Sequence, residues 1–228
     1  MNNHIKPLIA AASCILLVSG CATITSNDPS VRLQALAYIS NPTVLARVAC
    51  TDADTRVRTC AVSKLTDQKA LAEVACNATD WDIRKAAFNK LGTPQLTELA
   101  QTAKDPAVAL AARVKSNQET WNAAFKPGNL ESKGLGNVLG AVALVDTPQP
   151  SSGSVVAACH TFIRRGDSSR IPELKDLLLR FGDKPLAEDY LNCGQNQLRA
   201  AGEQWASSNG YGVGSGSGSH RVQWGEGR

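Results

Sequence analysis

Cys159 and His160 are adjacent, and their types could do chemistry together. A thiol beside an imidazole suggests a nucleophile with its base, or two ligands of a zinc ion. The apolar pattern around them is helical, however, and neighbours on a helix point about 100° apart, so the two side chains diverge. A thiol nucleophile also needs an orienting third group, and zinc needs further ligands, for which only Cys193 offers itself. Gly134, Gly136 and Gly140 resemble a phosphate loop only in composition, since no strand precedes them and no Lys-Ser/Thr pair follows. With few histidines and no clustered carboxylates, the residues favour no catalytic group, no metal and no cofactor. Cys159 is expected to be buried or disulfide-bonded.

A different cysteine carries a clearer chemistry. Lys6 gives the amino terminus a positive charge, residues 7–18 are apolar or small, and Ser19-Gly20 precede Cys21. The apolar run falls well short of the ~20 residues a helix needs to cross a bilayer. The string Leu17-Val18-Ser19-Gly20-Cys21 resembles the lipobox of bacterial lipoproteins. That resemblance implies lipidation of the Cys21 sulfur, cleavage before Cys21 and acylation of the new amine. Several acyl chains on one residue anchor stably where one chain does not. Ala22 after the cysteine implies, by the sorting rule of that family, the outer membrane with the protein facing the periplasm.

Cleavage leaves residues 21–228, enough for one sizeable domain or two small ones. The net charge of +4 falls to +3 with the loss of Lys6, and the charges are interspersed, so no nucleic-acid partner is expected. Besides Cys21, the mature chain holds Cys50, Cys60, Cys76, Cys159 and Cys193, an odd number in a compartment that permits disulfides. Cys159–Cys193 is the favoured bridge, Cys60–Cys76 a second candidate, and Cys50–Cys76 disfavoured. The last two occupy equivalent positions of a repeat, about 8–10 Å apart, beyond the ~7 Å a disulfide spans.

That repeat organises the amino-terminal half. Asp28-Pro29-Ser30-Val31-Arg32 recurs as Asp54-Thr55-Arg56-Val57-Arg58 and Asp80-Trp81-Asp82-Ile83-Arg84, at a spacing of 26 residues, with a weaker copy at Asp105-Pro106-Ala107-Val108. Further columns follow the beat: Leu45, Leu71 and Leu96; Val48, Val74 and Leu99; Ala49, Ala75 and Ala100. Each unit reads as two helices, the first opened by an aspartate in the N-cap position. Val57, Ala61 and Leu65 form its apolar stripe, and Leu71, Val74 and Ala75 form the stripe of the second helix. Such short helices are unstable alone, and stacking buries both stripes in a continuous core.

The registered columns and their Val-Arg pairs resemble the HEAT-like repeat family, in its short bacterial form. The expected fold is an all-α solenoid of short helix pairs, with a C-terminal helical module and a small β-hairpin or a Gly/Ser-rich tail. Arg32, Arg58 and Arg84 are expected to bond helix ends within the stack. The resemblance also implies that second helices line the concave side, which would place Arg47, Glu73 and Glu98 in a row facing a partner.

The expected organisation is a signal peptide (1–20), a lipidated tether (21–27), repeats (28–125), a Gly/Pro/Ser-rich linker with a short helix near Leu135 (126–154), a helical module (155–208) and a tail or hairpin (209–228). The expected function is a membrane-anchored scaffold for an unknown envelope protein. An enzyme, an accessory subunit of an envelope enzyme and a peptidoglycan-associated structural protein are the alternatives. Cys21→Ser should abolish palmitate labelling of the chain in living cells; undiminished label would remove the lipoprotein reading.

Overall fold

A computed structural model describes residues 24–215 and 222–226. The signal segment, Cys21 and residues 216–221 lie outside the described residues. The fold is all-α apart from one hairpin, and it divides into two compact units, up to Leu91 and from Gly92 onward.

The first unit holds α1 (Pro29–Leu36), α2 (Pro42–Thr51), α3 (Thr55–Lys64), α4 (Gln68–Asn77) and α5 (Trp81–Asn89). First helices α1, α3 and α5 pack in one layer and second helices α2 and α4 in another. The helices start where the sequence places caps. Asp28, Asp54 and Asp80 accept from the backbone N–H of Ser30, Arg56 and Asp82, and Asp67 from that of Ala70. The apolar columns form the core: Val57, Ala61, Leu65, Leu71, Val74, Ala75, Ile83 and Ala87 are all buried.

The second unit begins with the same pattern in α6 (Thr93–Thr102) and α7 (Pro106–Lys115), the latter capped by Asp105. It continues through the single-turn α8 (Trp121–Ala124) to α9 (Ser132–Leu144), α10 (Ser152–Arg164), α11 (Ile171–Phe181), α12 (Lys184–Asn192) and α13 (Asn196–Ser208). Strands β1 (Tyr211–Ser215) and β2 (Val222–Glu226) then pair antiparallel, with Val213 opposite Trp224. The Tyr211 ring stacks on Trp205 at 5.9 Å, fastening the hairpin to α13.

Residues 126–154 depart from the linker expected there. The helix near Leu135 is not a short accessory: α9 runs for 13 residues and packs against α7, α10 and α11. From Leu135 to Val145 only Asn137 escapes full burial. The glycines that read as a flexible connection are space-makers on a helix buried all round. A Cβ on Gly136 would stand 3.2 Å from the Phe162 ring. One on Gly140 would meet the Ala107 Cβ at 2.9 Å and the Arg170 guanidinium at 3.2 Å. The loop that follows α9 is tied down by the Trp121 indole N–H, which donates to the Pro148 carbonyl at 2.8 Å.

Gly140→Val should therefore destabilise the second unit by about 1–3 kcal/mol, the usual cost of overpacking. Gly128→Ala, where a Cβ meets nothing within 4 Å, should leave the urea midpoint nearly unchanged.

Candidate interaction site

The charges of the first unit fall into two sets, one spent on the stack and one left on its surface. The Val-Arg arginines belong to the first set, as expected. Arg32 takes both carboxylate oxygens of Asp52 at 2.8 Å and donates to the Ser26 carbonyl at 2.7 Å. Arg58 donates to the Asp52 carbonyl at 2.7 Å and to the Asp80 carboxylate, joining two repeats. Arg84 donates to the Ala75 carbonyl at 3.2 Å. Each guanidinium thus supplies donors to the carbonyls that end the preceding segment.

A second cationic column does the same at the other end of the first helices. The Lys64 ammonium donates to the Leu36 and Ala37 carbonyls, and the Lys90 ammonium to those of Val62 and Ser63, at 3.0 and 2.8 Å. Donors and acceptors both advance by 26 residues, from 64 to 90 and from 36 to 62. Sequence reasoning missed these lysines although their spacing was visible, because a single lysine at a helix end resembles ordinary solvated charge.

Arg47 and Glu73 belong to the other set. They hold equivalent positions on α2 and α4, which pack side by side, and both are exposed. Neither side chain makes a hydrogen bond or ion pair among the described residues. Between the two repeats lies the Cys50 thiol, pushed up by burial and then by the Glu73 charge. Glu98, expected to extend this row, is also exposed but lies in the second unit on α6, where it accepts from the Gln95 amide at 2.7 Å.

The chemistry-bearing residues of the second unit separate in space. Cys159, fully buried on α10, lies against the Tyr190 hydroxyl, and burial pushes its thiol up to about 12, so it stays protonated at neutral pH. The Cys159–Cys193 bridge expected from the sequence is not formed, and both cysteines are free. Each sulfur is directed at Tyr190 rather than at the other, Cys193 donating to the Tyr190 carbonyl at 3.1 Å from the end of α12. Cys50 and Cys60 are free as well.

His160 turns the opposite way and bonds Asp189 through Nδ1 at 2.6 Å; Asp189 also receives the Arg164 guanidinium at 3.3 Å. The residue that orients the imidazole lies 29 positions away and only the packing of α10 on α12 reveals it. The imidazole is oriented, but among the described residues no hydroxyl or thiol is bonded to it to act as nucleophile. Among the described residues no three metal-ligating side chains converge. A groove of about 480 Å³ between the α8 segment and α10 is lined chiefly by Phe125, Leu130, Leu135 and Ala157, and suits an apolar side chain better than a reacting group.

Arg170, at the start of α11, was not singled out by the sequence. It bonds Asp105 at 3.2 Å and the nearly buried Glu173 at 3.0 Å, through space left by Gly140. Burial works against its charge, but the bonds to Asp105 and Glu173 outweigh it and hold the guanidinium above its usual range.

No family model matches this chain, and no curated protein or solved structure is found to be similar to it.

Burial by itself pushes the Asp52 and Asp80 carboxyls up, but the hydrogen bonds from Arg32 and Arg58 outweigh it, and both titrate below the ordinary carboxylate range. The stability they supply is complete above the unfolded-state value and is lost as pH falls through the folded-state one. Urea midpoints should therefore drop on acidification below about pH 4. Asp52→Asn with Asp80→Asn should lower the midpoint at neutral pH and shrink that acid drop.

Proposed function

We propose that this chain is a lipid-anchored envelope protein whose helical repeats serve as a binding scaffold for another envelope protein, without catalysis of its own. One observation carries the reading. The periodic cations at helix ends are bonded to carboxylates and carbonyls of the stack, whereas Arg47 and Glu73 recur at one register position, are exposed and make no hydrogen bond or ion pair among the described residues. A side chain that contributes so little to folding is free to contribute to recognition. The anchor on Cys21 and the outer-membrane, periplasm-facing location belong to the same proposal and rest on the lipobox string and Ala22. The HEAT-like kinship rests on the repeat columns and on the two-layer packing of short helix pairs.

The His160–Asp189 pair favours a second reading, an accessory subunit that lends an oriented imidazole to a partner's site. The scaffold reading is preferred because that imidazole has no companion nucleophile among the described residues.

Arg47→Glu combined with Glu73→Lys and Glu98→Lys should leave helical content and melting temperature nearly unchanged while reducing recovery of the envelope partner in affinity purification. Unchanged recovery would move the binding surface away from these helices. Loss of recovery on His160→Gln, with the charge reversals silent, would favour the accessory subunit.

A further inference from the structure

Among the described residues, the first repeat leaves open a face that every later repeat of the first unit has covered. Val57, Leu65 and Ala70 are buried, at 0, 0 and 8% exposure, because the preceding repeat lies over them. Their equivalents one repeat earlier, Val31, Ile39 and Val44, are only half-buried. Stacked repeats ordinarily end on a polar face. Here the end is nearly uncharged, with half-buried Val31, Leu33, Ile39 and Val44 among neutral polar residues: residues 29–46 carry a single charge, Arg32, and it is already paired with Asp52. The same stretch one repeat later, residues 55–72, carries Arg56, Arg58, Lys64, Asp67 and Lys69.

One substitution in the register is telling. Lys64 and Lys90 each reach back to cap the carbonyls of the repeat before them. The equivalent position in the first repeat is Tyr38, which is 80% exposed. An aromatic ring with a polar tip stands where the column would otherwise place an ammonium. Such rings are favoured at the boundary between headgroups and acyl chains.

The length of the tether indicates what covers this face. Ile24 is already buried, and the Ser26 carbonyl is held by Arg32, so the folded body extends at least to Ile24. Three peptide units separate Cys21 from Ile24, spanning at most about 11 Å when fully extended. A chain anchored through Cys21 therefore keeps Ile24 within about that distance of the membrane. The tether reaches α1 at its start and Tyr38 follows its end, so the two are about one eight-residue helix apart, roughly 12 Å. We propose that the open face of the first repeat, centred on Tyr38, rests on the bilayer that receives the Cys21 anchor, so that the lipid surface acts as the missing cap of the stack. This proposal rests on the reading of Cys21 as lipidated.

The test uses the full chain, expressed with its signal and reconstituted into vesicles of phosphatidylethanolamine and phosphatidylglycerol. Tyr38→Trp places a reporter at the exposed face, and Glu73→Trp places one on α4 a repeat further along. The emission of the parent protein is subtracted from each. Lipids brominated on the upper acyl chain quench only a ring at the boundary, so the reporter at 38 should lose about half its emission and the one at 73 far less. Palmitate labelling of the same samples separates the two readings. Labelled protein whose reporters are quenched equally, or not at all, overturns the docking and leaves the anchor intact. Emission at 38 that responds to protein concentration instead of to brominated lipid marks a contact between two copies, and also overturns it. Absence of palmitate from Cys21 overturns both.

Discussion

The arrangement depends on one constraint: a helix of eight to ten residues is nearly all ends. Each α-helix leaves four carbonyls without an intrahelical donor at its C-terminus, and in helices this short they are a large share of the backbone. The first unit meets that demand with cations from elsewhere in the stack. Arg32, Arg58 and Arg84 serve the segments before them, and Lys64 and Lys90 serve the first helices of the previous repeat. The aspartates complete the other side: Asp28, Asp54 and Asp80 cap amino ends, Asp80 also receives Arg58, and Asp52 receives Arg32. Burial of the apolar columns drives the helices together, and the ionic bonds fix the register in which they meet.

The second unit uses the same device without the periodicity. Arg180 donates to the carbonyls of Val142, Ala143 and Val145, closing the end of α9. Asp105 keeps its place in the aspartate column and also receives Arg170, at a separation of 65. Gly140 makes that contact feasible, because any side chain there would occupy the path of the guanidinium. A repeat-type N-cap is thereby drawn into a non-repetitive module by one long side chain and one missing one.

Much of this was legible in the sequence because local chemistry and periodicity agreed. The aspartate caps, the Val-Arg pairs and the leucine and alanine columns all point to stacked helix pairs, and the pairs form as read. Reading failed where a residue's meaning depends on distant partners. The glycines of α9 have the composition of a linker, and their purpose emerges only against Phe162, Ala107 and Arg170. Asp189 is one acid among many until helix packing brings it to His160. The cysteines could be counted but not paired, since only the placement of Tyr190 decides where two of the sulfurs point. Glu73 is legible from the helical period that turns Leu71, Val74 and Ala75 to the core, and Arg47 and Glu98 from their register with it.

The lysine column also makes length a discrete quantity. Lys64 meets carbonyls 28 and 27 residues behind it, and Lys90 does the same. Removing residues 55–80, a block of 26, would join Asp54 to Trp81 and carry Lys90 into the place of Lys64, with Arg84 arriving where Arg58 stood. Removing half that block would leave the ammonium facing side chains and the carbonyls facing nothing. Chains built this way grow and shrink by whole repeats, and a point of recombination that preserves one capping lysine preserves the stack.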